Sequence, residues 1–244
     1  MTNAFLRIRP KLLKEDRIGQ FIGTALVEMI LIIAGILLAL QIDNWNQTRQ
    51  ERRIVEEYLD IIKHNVTNDL ENAEAMLAHR KQSLLYTDTI LGYYQNEHIA
   101  DAKLFELGFL SLFIEQWFYP NRSAYESLKS SGFLRNVGNT SIEAGLNAYY
   151  ALIDKILNSE RVFNSLTLPI EDKLSANGFY IEFEEMFRKN HQDTIIFTCE
   201  NLKKYPDVQS TFIRAKMWLE SFINLYTQLS YQGEELLEIL NNGI

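Results

Sequence analysis

The chain has 244 residues, 47% of them hydrophobic and 12% aromatic, with 11 Gly and only 4 Pro. This argues against a disordered or sheet-rich chain and leaves room for one anchor plus one core of roughly 150 to 200 residues. Its formal charge of −8 is uneven: residues 43–244 hold 19 Lys/Arg against 29 Asp/Glu, with no basic stripe interleaved with aromatics, which argues against nucleic acid as a partner. Cys199 is the only cysteine, so an internal disulfide, a Cys-x-x-Cys redox pair and a Cys-built zinc site are excluded.

The first 17 residues form a basic arm with Arg7, Arg9, Lys11, Lys14 and Arg17. The next 25, Ile18 to Ile42, contain one charge, Glu28, and are long enough for a tilted transmembrane helix. A cleaved signal peptide with Met29 to Leu40 as its apolar core is the competing reading, but its basic region would be unusually long and no small-x-small site follows. Five basic residues precede the span, whereas Arg49, Arg52 and Arg53 follow it. This bias predicts a cytoplasmic N-terminus and an exported domain.

Within the span, Glu28, Gly35 and Ala39 fall within about 40° of one another on a helix, flanked by Thr24 and Ile42. A carboxylate deep in a bilayer is expensive and usually faces a partner, a cavity or a proton path; small residues four apart let helix backbones approach. The pattern points to association with a second copy or with another membrane protein. Protonation of Glu28 in lipid and proton transfer through it are the alternatives. Trp45, just past the span, is placed to anchor at the interface.

The string Gly35-Ile36-Leu37-Leu38-Ala39-Leu40-Gln41-Ile42-Asp43-Asn44-Trp45-Asn46 resembles the signature of a family of uncharacterised single-pass membrane proteins of Bacteroidota. Phe5-Leu6-Arg7-Ile8-Arg9-Pro10-Lys11-Leu12-Leu13 is similar to that family's opening. Tyr125-Glu126-Ser127-Leu128-Lys129-Ser130-Ser131-Gly132, followed by Tyr149-Tyr150, resembles its mid-domain pattern. Val27 stands where that family usually has Gly. The resemblance implies membrane location and a helical domain, and it brings no activity. With the charge bias, the expectation is a bacterial inner-membrane protein whose acidic domain, residues 43–244, is periplasmic.

No Gly or Pro lies between Gly35 and Gly92, and Val55, Leu59, Ile62, Val66, Leu70, Ala73, Leu77 and Leu84 recur mostly three or four apart, the spacing of a long amphipathic helix or coiled coil that continues the span. A loop from Asn96 to Asp101 precedes a helix from Ala102 to Phe118, stopped by Pro120. Ser123 with Glu126, and Thr140 with Glu143, read as capping boxes. The first opens a short helix that Gly132 ends, before a loop from Ser130 to Asn139. The second opens a helix from Ser141 to Leu168, ended by Pro169. The segment from Asn177 to Pro206 reads as irregular, with a short helix at Glu182 to Arg188 and a strand-like Thr194 to Thr198. A last helix from Asp207 to Leu240 has Phe212, Ala215, Leu219, Phe222, Ile223, Tyr226 and Leu229 on its apolar side. The fold class is all-α, one N-terminal transmembrane helix continuing into an antiparallel helical bundle.

Signs of chemistry are few. The positions three before His64, His79, His98 and His191 are Ile61, Met76, Gln95 and Arg188, so the Glu-x-x-His pattern of di-iron bundles is missing. Asp60 and His64 share a helix face, where an exposed polar pair outweighs a metal site. The chain has no glycine-rich phosphate loop, Gly-x-Ser-x-Gly elbow or His-Glu-x-x-His, and the reading is of a non-enzyme without cofactor or metal. Ser130 and Ser131 are the first residues to inspect for a nucleophile. The aromatic groups Trp117-Phe118-Tyr119, Tyr125, Tyr149-Tyr150 and Phe179-Tyr180 suit core packing, with a ligand pocket between helices as the alternative. Three functions are weighed: a membrane-anchored interaction or scaffold module, a ligand-sensing module of an envelope complex, and an accessory subunit of a proton-coupled complex.

Overall fold

The computed structural model describes residues 17–96, 102–190 and 203–242. Among them are six α-helices and one 3₁₀ turn, and no strand: α1 (Arg17–Asn96), α2 (Ala102–Phe113), α3 (Ser123–Ser130), the 3₁₀ turn (Phe133–Val137), α4 (Thr140–Ala176), α5 (Phe179–Asn190) and α6 (Pro206–Asn242). The chain divides into two compact units at Ile54/Val55, a boundary that falls inside α1.

In the first unit α1 is helical from Arg17 and every residue from Phe21 to Gln50 is exposed. Its most apolar 18-residue window has mean hydropathy 2.5 with none of it buried. By length and composition this helix is able to cross a membrane.

In the second unit α1, α4 and α6 pack through seams of strict spacing. On α1 the seam is Val55, Leu59, Ile62, Val66, Asp69, Ala73, Met76, Arg80, Ser83, Thr87, Ile90 and Tyr94, buried throughout except for the half-buried Met76. The intervals are all three or four residues. On α4 the same rhythm runs Ile142, Leu146, Tyr149, Ile153, Ile156, Glu160, Phe163 and Thr167. On α6 it runs Val208, Phe212, Ala215, Leu219, Phe222, Tyr226, Leu229, Gly233, Leu236 and Leu240. A seven-residue repeat held this long is the spacing of helices that wind around one another with a left-handed supercoil. Leu70, Leu77 and Leu84, which hydrophobicity alone places in the buried stripe, lie beside it and are only partly buried.

Contacts fix the direction of each helix. Glu160 of α4 meets Tyr226 of α6, and Phe163 meets Phe222, while a methyl on Gly145 would sit 3.1 Å from Leu236, so α4 and α6 are antiparallel. Leu70 of α1 lies against Gly233 and Asp88 pairs with Lys216 at 2.7 Å, so α1 and α6 are antiparallel too. The close approach at Gly233, where an added Cβ would lie 2.6 Å from Leu70 Cδ2, is possible only for glycine without a shift of Leu70.

α1 and α4 therefore run the same way, and the chain between them must return along the bundle. It does so through α2 and an extended strap, residues 114–122. The helix expected to reach Phe118 ends at Phe113. Gln116 is bonded to Arg80 and Asn121 to Asp69. From Asp69 to Arg80 the α1 axis rises about 16 Å, and the five residues from Gln116 to Asn121 cover about 16 Å only when extended. Helix would have fallen far short.

Other boundaries differ from the sequence expectation for local reasons. Ser123 is the first helical residue of α3 and not its cap: Arg122 holds the cap position, Asn121 Oδ1 accepts from the Ser123 N–H and hydroxyl, and Glu126 pairs with Arg122 at 2.9 Å. Likewise Asn139, not Thr140, caps α4, its side chain accepting from Ser141 N at 3.0 Å. Gly132 ends α3 as expected, at φ 78°, and with Gly138 at φ 72° brackets a 3₁₀ turn where a plain loop was expected. Pro169 lies inside α4, which runs on to Ala176. An interior proline costs about 3 kcal/mol, and burial of Leu174 with packing of Ile170 on the core, at about 1.5–3 kcal/mol per buried side chain, offsets it. The short helix at Glu182 to Arg188 is longer, Phe179–Asn190. The loop from Asn96 to Asp101 lies largely, and the strand-like Thr194 to Thr198 wholly, outside the described residues.

Candidate functional site

The residues singled out in the span are all on α1 and all exposed: Thr24, Glu28, Gly35 and Ala39. A methyl group placed on Gly35 meets nothing within 4 Å, and the same holds at Gly23. Trp45 is exposed, with the Arg49 guanidinium 6.0 Å from its ring centroid. Glu28 is the one carboxylate between Phe21 and Ile42.

A second polar constellation, which hydrophobic patterning does not reveal, is buried in the bundle. Each of the three long helices contributes one residue to one layer: Arg80, Glu160 and Tyr226, all 1% exposed or less. Glu160 Oε1 accepts from Tyr226 OH at 2.5 Å and from Arg80 Nη2 at 3.3 Å. Its other oxygen accepts from the backbone N–H of Phe118 in the strap at 2.9 Å. Arg80 also donates to the Gln116 carbonyl at 3.3 Å, and its guanidinium lies 4.7 Å from the Phe222 ring centroid and 6.0 Å from that of Phe163. The charges are compensated and sandwiched between aromatic rings, as burial demands. Burial, the Glu160 charge and its hydrogen bond push the Tyr226 phenol up, so it stays a donor.

Towards the N-terminal end of the same seam lies Asp69, 1% exposed. Its Oδ1 accepts from the strap backbone at Asn121 N, 3.0 Å away, and its Oδ2 has no hydrogen-bond partner. Burial raises its pKa to about 6, against the lowering pull of that hydrogen bond. Tyr149 and Tyr150 of α4 interact with it electrostatically; burial, then the Asp69 charge, push both phenols up. Tyr150 stacks on Tyr125 of α3 at 3.9 Å between centroids, nearly parallel.

The remaining sequence candidates resolve simply. His64 pairs with Asn68 at 3.2 Å and Asp60 with Lys63 at 3.6 Å, so the two do not converge. The Ser130 and Ser131 hydroxyls donate to carbonyls of the preceding turn, Ser127 and Leu128. Phe118, Tyr125, Tyr149, Tyr150 and Phe179 are core, and Phe179 joins Phe109, Phe183 and Tyr205 in an aromatic cluster linking α2 and α5.

Fold and site together define a class: a helical bundle with buried polar layers in one unit, and in the other a helical stretch that is exposed, apolar and long enough to span a bilayer. The chain belongs to the family of unknown function DUF6090, whose model matches residues 28–174. That stretch includes Glu28, the strap, Asp69, Arg80 and Glu160, and stops before α6. Comparison with curated proteins found no match, and comparison with solved structures found none.

Proposed function

We propose that this chain is a non-enzymatic membrane-anchored interaction module of the bacterial inner membrane, with its N-terminal arm cytoplasmic and its acidic bundle periplasmic. The anchor helix associates with a second copy or with another membrane protein. The observation that carries this reading is the exposed face of Thr24, Glu28, Gly35 and Ala39. In lipid an exposed carboxylate favours a polar partner, and Gly35 with Ala39 leaves the backbone open to close approach. The exposed Trp45 supports placement of the helix end at the interface. The heptad-spaced seams support a rigid bundle of the coiled-coil type as the part presented to partners.

The test is affinity purification of the tagged wild type and of Glu28→Leu from native membranes in mild detergent, followed by native mass measurement and identification of co-purifying chains. A defined oligomer or complex in the wild type that dissociates in the variant is expected. Monomeric, partnerless wild type and variant would overturn the reading.

A further inference from the structure

The strap is held to the bundle by two buried carboxylates of unequal character. At Phe118 the holder is Glu160, whose charge is met by Arg80 and Tyr226. At Asn121 the holder is Asp69, whose second oxygen has no hydrogen-bond partner. Arg122, next along the chain, is turned to Asp154 and Glu126 instead. We propose that residues 114–122 form a clasp that releases at its Asn121 end while remaining pinned at Phe118, and that the charge of Asp69 drives the release.

The surroundings of Asp69 support this. On α1 the nearest seam neighbours are Val66 and Ala73, and the Nδ2 of Asn65, one turn away, is unpartnered. From α4 come the phenols Tyr149 and Tyr150, which stay neutral. The strap and α3 bring Arg122 and Glu126, paired with each other, and Tyr125 stacked on Tyr150. α6 meets α1 here at Gly233 against Leu70, beside Gln232, whose buried Oε1 has no partner. A dry carboxylate in such a setting favours its neutral form, and release of Asn121 re-solvates it. The closed clasp therefore binds the Asp69 proton more tightly than the open one, and opening is favoured as pH rises through about 4 to about 6.

The experiment is hydrogen exchange of the full chain in detergent at a series of pH values, corrected for the intrinsic pH dependence of amide exchange. Between pH 4 and pH 7, the amide of Asn121 is expected to lose up to about a hundredfold in protection in the wild type, tenfold for each pH unit that separates proton release in the open clasp from proton release in the closed one. The Phe118 amide keeps its protection, and Asp69→Asn removes the slope. A wild type without the slope, a variant that keeps it, or loss at Phe118 in step with Asn121 would each overturn the proposal. Should Asp69→Asn fold poorly, the carboxyl ¹³C titration of Asp69 in labelled wild type decides: its midpoint must coincide with the pH at which the Asn121 protection stops falling, and a mismatch overturns the clasp.

Discussion

Helix α1 carries two opposite arrangements of polarity. From Phe21 to Ile42 its large apolar side chains are exposed on every side. From Val55 to Tyr94 its polar residues Asp69, Arg80, Ser83 and Thr87 are buried. The same backbone solves two solvation problems. In one, apolar side chains are left exposed by the chain itself, on a helix long and apolar enough to cross a membrane. In the other, a heptad seam excludes water and each enclosed charge needs a specific partner. The comparison predicts where substitutions hurt: sharply at the seam, hardly at all for bundle stability in the exposed stretch.

The largest effect is expected at Glu160. Replacing it with Ala strands Arg80 in the core and removes the acceptor for Tyr226 and the Phe118 amide. The expected loss is about 3–5 kcal/mol, or roughly 10 °C in the melting temperature of a domain this size, read by circular dichroism in detergent. The double variant Arg80→Met with Glu160→Leu removes both charges and is expected to cost less than Glu160→Ala alone. A double variant worse than the single one would show that the layer stabilises the bundle and does not merely tolerate its own charges.

Next is the pH dependence of bundle stability. The folded Asp69 pKa, about 6, lies above the ordinary value of 3.8, so the folded state binds the proton more tightly than the unfolded state. The stabilisation from protonation is complete below about pH 4 and is lost as pH rises to about 6, by up to about 3 kcal/mol. Denaturant titrations of wild type and Asp69→Asn across that window should differ in slope, the variant keeping the Asn121 hydrogen bond through its amide oxygen. Equal slopes would mean that Asp69 is solvated in the folded state.

Much of this architecture is legible in the residues, and the departures have a common cause. The apolar stripe Val55, Leu59, Ile62, Val66 sets a four-three rhythm whose extrapolation lands on Asp69, Ala73, Met76, Arg80, Ser83 and Thr87. Likewise Ile142, Leu146, Tyr149, Ile153, Ile156 leads to Glu160. Following hydrophobicity instead of spacing shifts the stripe to Leu70, Leu77 and Leu84, one position off the seam, because hydrophobicity assigns polar residues to solvent. The strap is illegible for another reason: its extended form is imposed by the distance between Asp69 and Arg80, a tertiary requirement that no local propensity records. Pro169 reads locally as a stop because the burial that carries α4 past it is also tertiary. The exposed helical stretch, in contrast, follows from length and composition, since nothing there depends on distant residues.

A smaller effect at the seam is expected at Gly233, where an added methyl lies 2.6 Å from Leu70 Cδ2. Gly233→Ala should cost about 1–3 kcal/mol through displacement of Leu70, and Gly233→Ala with Leu70→Ala should recover part of it. If the single variant melts like the wild type, Leu70 has room to turn away and the α1–α6 approach is looser than its spacing indicates.

The smallest effect is expected in the exposed stretch, and it sharpens the comparison most. Glu28 is exposed on α1, so Glu28→Leu should change the unfolding free energy of the bundle by less than about 0.5 kcal/mol. On the proposed association of the anchor, the same variant should alter the native mass of the detergent complex, because it removes the one carboxylate from the side of the helix that carries Thr24, Gly35 and Ala39. Melting and assembly thus report on different ends of α1. A variant that kept its complex but melted earlier would place Glu28 in the fold and reverse the division between the two regions. One that lost its complex at constant melting temperature would locate assembly in the apolar stretch and stability in the seam.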